Sequence, residues 1–224
     1  YALGASTTGT KNVAIGTSSL GANTTGSSNV AVGHSCLSTS TASAGNIAVG
    51  REVLKNTGSG AYNVGVGLYA LYDNTSGASN VGIGQNVLEN NTSGSQNVAI
   101  GKQALYTNTA QSNMIALGYQ ALYANTTGNH NTAIGESALD ACTTGNNNTA
   151  IGRNALGSLT TGYSNVAIGN NAGAASGNTG TLFSVYVGQG AGSNNTASGG
   201  VFIGNNAGNN STTGNQVICI GHAS

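Results

Sequence analysis

The sequence predicts an all-β protein, a parallel β-solenoid or β-roll of about thirteen 17-residue coils. Three observations predict it. Gly16, Gly33, Gly50, Gly67, Gly84, Gly101, Gly118, Gly135, Gly152 and Gly169 recur at steps of 17, and Gly188, Gly204 and Gly221 continue at steps of 19, 16 and 17. A fixed period of this kind marks stacked structural repeats. The unit holds a short β-type segment and a turn-type segment, and no 3.6-residue period spans it. Charge is nearly absent: the 224 residues include five Lys or Arg and five Asp or Glu, with 37 glycines and no proline.

Counted from Asn12, the unit reads N-V-A-I-G-x-x-A-L-x-x-N-T-T-G-x-x. Position 2 is Val or Ile, with Thr at Thr132 and Thr149, and position 4 is Ile, Val or Leu. Residues two apart on a strand share a face, so positions 2 and 4 are expected to point together into the coil. Position 9 is Leu nine times running, from Leu20 to Leu156, behind a small residue at position 8. These side chains are the candidate core. The N-T-T-G segment, as in Asn23 to Gly26 and Asn125 to Gly128, suits a tight turn because Asn and Gly tolerate left-handed backbone. Coils stacked at about 4.8 Å would make a rod roughly 60 Å long. Position 1 then places Asn12, Asn29, Asn46, Asn63, Asn80 and Asn97 above one another, either as an amide ladder or simply as good turn formers.

Position 3 is Ala or Gly throughout: Ala14, Ala31, Ala48, Gly65, Gly82, Ala99, Ala116, Ala133, Ala150 and Ala167. If positions 2 and 4 face inward, position 3 faces outward, and small residues there imply the close approach of another backbone. The expectation is a parallel homotrimer, intertwined or side by side, with these residues at the chain interface. Residues 1–169 form the regular solenoid. In residues 170–224 position 3 becomes Tyr186, Phe202 and Cys219 while position 9 becomes Gly173, Gly192 and Gly208, which reads as a tapering or plugging section of the same rod with Tyr186 and Phe202 at the axis.

Chemistry is sparse. All ten charged residues occupy positions 6, 7, 10, 11 and 17, the variable outward sites, and Glu136 and Arg153 are expected to pair between neighbouring coils. His34, His130 and His222 lie too far apart to assemble a catalytic or metal set, so no enzyme activity, catalytic residue, metal or cofactor is expected. Zero net charge argues against nucleic acid, and no apolar run is long enough to insert in a membrane. Cys36, Cys142 and Cys219 are too dispersed for a disulfide framework. Tyr69, Tyr72, Tyr106, Tyr119 and Tyr123 cluster at variable positions and are candidate glycan contacts, with Tyr106 and Tyr123 stacked; the alternative is that they shield a thin sheet. Asn23, Asn74, Asn91 and Asn125 open N-x-[ST] strings that chance explains in so Asn- and Thr-rich a chain. The Thr-Thr pairs do not give the flat T-x-T array of an ice-binding face if they lie on a strand. The chain opens on Tyr1 rather than Met, as expected of a piece of a longer protein.

The string Asn131-Thr132-Ala133-Ile134-Gly135 with Ala138-Leu139 resembles the repeat regions of phage and viral tail-fibre proteins. It is also similar to the YadA-like heads of trimeric autotransporter adhesins, whose A-I-G coils are shorter. The resemblance covers nearly the whole chain, and the 17-residue unit fits the fibre group better. It implies a trimeric structural fibre segment on a virion or outside the cell, taking part in attachment to a host-surface glycan or protein. An extracellular adhesin or surface filament is the alternative, and a glycan-binding or depolymerising fibre the second alternative.

Overall fold

A computed structural model describes residues 1–174, 180–196, 198–209 and 216–222. Among them there is no helix, and thirteen short strands appear, one per repeat. The chain divides into two compact units, Tyr1–Asn113 and Met114–Ser224. The first holds β1 (Val13–Ile15), β2 (Val30–His34), β3 (Ile47–Arg51), β4 (Val64–Leu68), β5 (Val81–Ile83) and β6 (Val98–Ile100). The second holds β7 (Ile115–Leu117), β8 (Thr132–Ile134), β9 (Thr149–Ile151), β10 (Val166–Ile168), β11 (Val185–Val187), β12 (Val201–Ile203) and β13 (Ile218–Ile220).

Within each unit every strand pairs in parallel with its sequence neighbour, and equivalent residues align: Val64 with Val81, Gly65 with Gly82, Val66 with Ile83. This is a parallel β-solenoid. The step between paired strands changes from 17 residues to 19 at Val166–Val185, then to 16 at Val185–Val201, so the slip in glycine spacing is absorbed between strands and the register survives.

Positions 2 and 4 do not face the coil interior. Position 3 does. Ala31, Ala48, Ala99, Ala116, Ala133, Ala150, Ala167, Tyr186 and Phe202 are fully buried within the chain, Gly65 and Gly82 are buried, and Ala14 is half-buried in the first coil. None of these residues is available as a chain interface. A narrow coil already holding Leu at position 9 and a small side chain at position 8 has room for little more than a methyl at position 3. A Cβ placed on Gly65 would lie 2.5 Å from Val53 Cγ1, and one on Gly82 would lie 3.3 Å from Val87 Cγ1. Each of these glycines lies against a position 8 valine, Gly82 in its own coil and Gly65 in the preceding one, which offsets the added volume.

The same exchange explains the irregular coils. A Cβ on Gly192 would meet the Tyr186 ring at 2.5 Å, and one on Gly208 would meet the Phe202 ring at 2.2 Å. The rings occupy the space of the missing position 9 leucines, stacked 5.4 Å apart and nearly parallel. Tyr186 and Phe202 therefore fill their own coils and do not plug an axis between chains.

Besides the position 5 glycines, whose φ lies between 106° and 140°, the coil turns through left-handed backbone at three fixed places. Positions 7, 9 and 17 carry positive φ with almost any side chain, including every position 9 leucine from Leu20 (φ 52°) to Leu156 (φ 51°). The position 9 glycines keep that conformation, with Gly208 at 61°. The glycine of N-T-T-G has another cause: at Gly77 a Cβ would strike the Gly94 carbonyl oxygen and Asn74 Oδ1, each at 2.3 Å, so a close approach favours glycine there, although Ser43 and Gln111 fill the equivalent place in two other coils.

Both Asn positions form ladders. At position 1, Asn63 Oδ1 accepts from the Asn80 backbone N–H (2.9 Å) and from Asn80 Nδ2 (3.1 Å), while Asn63 Nδ2 donates to the Gly77 carbonyl (2.9 Å). At position 12, Asn91 Nδ2 donates to Asn74 Oδ1 (2.7 Å) and Asn108 Nδ2 to Asn91 Oδ1 (3.0 Å). These amides are buried, so each bond also prevents the cost of an orphaned polar group.

The second ladder breaks after Asn23, whose buried Oδ1 has no partner. The next coil carries Ser40 at that position, and its hydroxyl is committed to Ser43. Replacing Ser40 by Asn and Ser43 by Gly restores the donor and the glycine that accompanies it. The double variant is expected to stabilise the fold by about 1–2 kcal/mol, read as a higher denaturation midpoint with unchanged slope.

Candidate functional site

The inverted strand puts the larger aliphatic side chains on the surface. Ile15 is 59% exposed, Ile47 40%, Ile100 41% and Ile168 42%, and most of the remaining residues of positions 2 and 4 are half-buried. In unit one the two rows are Val13, Val30, Ile47, Val64, Val81 and Val98 beside Ile15, Val32, Val49, Val66, Ile83 and Ile100. Position 4 remains Ile, Val or Leu in all thirteen strands, and neither row contains a charged residue. Within each unit the rows are held rigidly, since each strand is bonded through its backbone to the next and flanked by the position 1 ladder. For example, Val30 N–H donates to the Asn46 carbonyl at 2.8 Å.

Two of the candidate tyrosines form a pair within one coil. Tyr69 and Tyr72 meet edge to face with centroids 5.6 Å apart, and the Lys55 ammonium lies over the Tyr72 ring at 5.4 Å. Those contacts occupy part of the surface on which a sugar would stack. Tyr106 belongs to the first unit, and Tyr119 and Tyr123 to the second, with Tyr119 exposed. A further aromatic pair, Tyr163 with Phe183, packs edge to face at 5.1 Å on the surface of the second unit. Phe183 lies three residues before the inward Tyr186, and the irregular spacing there hid its position 17 role.

Charge concentrates around β3. Glu52 accepts from Lys55 Nζ at 2.9 Å and lies 3.5 Å from Arg51 Nε, while Asn56 Nδ2 donates to Asp73 Oδ1 at 2.7 Å. The hydrogen bond from Lys55 holds the Glu52 carboxyl below its ordinary range, and the same bond raises Lys55. Both are surface groups whose pairing is screened by solvent. The ion pairs of the described residues are those of Glu52 with Arg51 and Lys55; Glu136 and Arg153 do not form the expected one. Burial raises the Asp140 carboxyl.

Cys36 and Cys142 are buried free thiols. Cys36 stands at position 8, where the repeat unit carries Ala, and burial raises its pKa. Cys142 replaces the ladder Asn of position 12 and is pushed up to about 11 by burial, so neither is a thiolate nucleophile near neutral pH. His34, His130 and His222 are exposed. Among the described residues no group of three or more His, Cys, Asp or Glu could hold a metal ion, and no helix is long and apolar enough to cross a membrane.

Asn23, Asn74, Asn91 and Asn125 are buried, so their N-x-[ST] strings do not present an acceptor in the folded chain. Among the described residues the Thr-Thr pairs lie in turns and not on strands. Thr24 Oγ1 donates to the Thr41 carbonyl and Thr126 Oγ1 to that of Thr143, which commits this hydroxyl row to coil stacking.

Comparisons with protein-family models, curated proteins and solved structures return no match. Among the described residues the dominant surface feature is the aliphatic face of positions 2 and 4.

Proposed function

We propose that this chain is a structural segment of a homotrimeric surface fibre of the phage or viral tail-fibre kind, located on a virion or outside the cell and serving attachment to a host surface. One observation carries the reading. Each coil is bonded to the next through backbone and buried amide ladders while its larger aliphatic side chains are left outside, an arrangement suited to a stiff spacer that is completed by association. The repeat string around Asn131 supports the fibre reading through its resemblance to that group, as does its 17-residue length. An extracellular adhesin of the trimeric autotransporter type is the alternative, and it shares the A-I-G strand.

Immunogold labelling with antibody raised against the chain separates the readings. Label on fibres projecting from purified particles is the expected result. Label on the cell envelope favours the adhesin, and label confined to the cell interior overturns both.

A further inference from the structure

We propose that copies of this chain dock on one another through the two outward aliphatic rows, positions 2 and 4, running parallel and in register. This deepens the fibre reading and rests on it: the interface lies on the opposite face of the strand from the small residues of position 3.

The size of the surface is the first reason. A Val or Ile side chain worth about 2–3 kcal/mol when fully buried at about 25 cal/mol/Å² still shows on the order of 50 Å² when half-exposed. Twelve of them give unit one roughly 600 Å² of apolar surface, above the few hundred Å² usual on a monomer and near the ~800 Å² each partner contributes to a standard interface. The seven strands of unit two add a comparable amount.

The second reason is the repeat. Each row advances one strand spacing per coil, so a complementary surface has to carry the same step over six or seven coils. A globular partner has no cause to do so. Another copy carries it automatically, and in the parallel arrangement each coil meets its own equivalent.

The third reason is charge. Parallel in-register packing brings identical residues together, so any charge at positions 2 or 4 would meet its like. Both rows are free of it in all thirteen strands, and the two polar exceptions, Thr132 and Thr149, are neutral. Charged residues begin at position 6, beyond the glycine corner, where Arg51, Lys102, Glu136 and Arg153 rim the face at different coils.

Cysteine cross-linking of the whole chain tests the proposal. In a Cys219→Ser background the remaining native thiols are buried, and single variants Ile83→Cys and Ile168→Cys place one thiol in the position 4 row of each unit. Ser76→Cys, on the exposed turn, is the control. Mild oxidation should give covalent dimers of each Ile variant and none of the control. In a three-fold assembly the dimer band saturates near about two thirds of the chains, because one thiol of three has no mate. Mixing the two Ile variants should give no mixed disulfide, and a mixed disulfide would overturn the in-register arrangement.

Native mass of the unmodified chain separates the two levels of the proposal. A multiple of 21.8 kDa with no cross-linking at Ile83 or Ile168 overturns this interface and leaves the fibre reading standing. A mass of 21.8 kDa overturns the interface and the homotrimer together.

Discussion

Gly50→Ala is expected to open the first unit between β3 and β4 and to lower its melting temperature by about 10 °C or more. Gly50 has φ +137°, a conformation that residues with a Cβ rarely adopt. The added methyl would also sit 2.0 Å from the Gly67 carbonyl oxygen and 2.9 Å from its carbon. Neither partner can retreat cheaply, because Gly50 and Gly67 are themselves paired in the parallel ladder. Strain and collision act together, so the loss should exceed about 4 kcal/mol, in the range reserved for severe backbone lesions. In a solenoid each coil depends on its neighbours, and amide exchange should therefore accelerate first in β3 and β4. Gly21→Ala is the control: its Cβ would approach the Ser18 carbonyl oxygen at 3.3 Å, φ is not positive, and other coils carry Ser or Lys at the same position. A Gly50→Ala chain that melts with the wild type would refute the account of the 17-residue period as a backbone-to-backbone contact.

That account was only half legible in the sequence. The period, one strand per coil, the parallel register and its survival through the 19 and 16 residue steps all follow from glycine spacing, because an invariant corner fixes where each coil begins. The choice of inward face does not follow. Alternation separates position 3 from positions 2 and 4, yet it is symmetric: it says that two sets exist and leaves open which one is inside. The larger aliphatic set looked like the core because single domains bury their larger apolar residues. What decides the matter is the coil's width, set by Leu54 and its equivalents together with the residue before them, and this leaves space for Ala48 but not for a valine. One signal was available. Position 3 falls to Gly65 and Gly82 near Val53 and Val87, and such compensation means that positions 3 and 8 share one cavity.

The left-handed corners were misplaced for a related reason. Asn and Gly in N-T-T-G advertise a turn, but apart from the position 5 glycines positive φ belongs to positions 7, 9 and 17, where leucine, serine, tyrosine and glutamine all accept it. Stacking determines that backbone, and the cost at each leucine is recovered by burying the side chain. The turn glycine answers to space and not to φ. The ring orientations were not legible at all, since a surface position does not fix them: Tyr69 and Tyr72 settle edge to face with Lys55 over one ring.

The exchange of leucine for an aromatic ring predicts a double-mutant cycle in the irregular coils. Phe202→Ala alone should cost about 3–5 kcal/mol, because the ring is fully buried and the glycines around it cannot collapse into the void. Gly208→Leu alone should also destabilise, since its first side-chain carbon would already lie 2.2 Å from the ring and the remaining atoms have no other space. Combined, the substitutions rebuild the regular coil, with Ala at position 3 and Leu at position 9. The backbone permits this: Gly208 has φ 61°, close to the 51° of Leu156, so the leucine enters a conformation its equivalents already hold. The double variant should therefore recover most of the loss, giving a coupling energy of at least about 2 kcal/mol of rescuing sign by chemical denaturation. Additive losses would mean that the ring and the leucine do not compete for one space, and the inward orientation of position 3 in β12 would fall with that result.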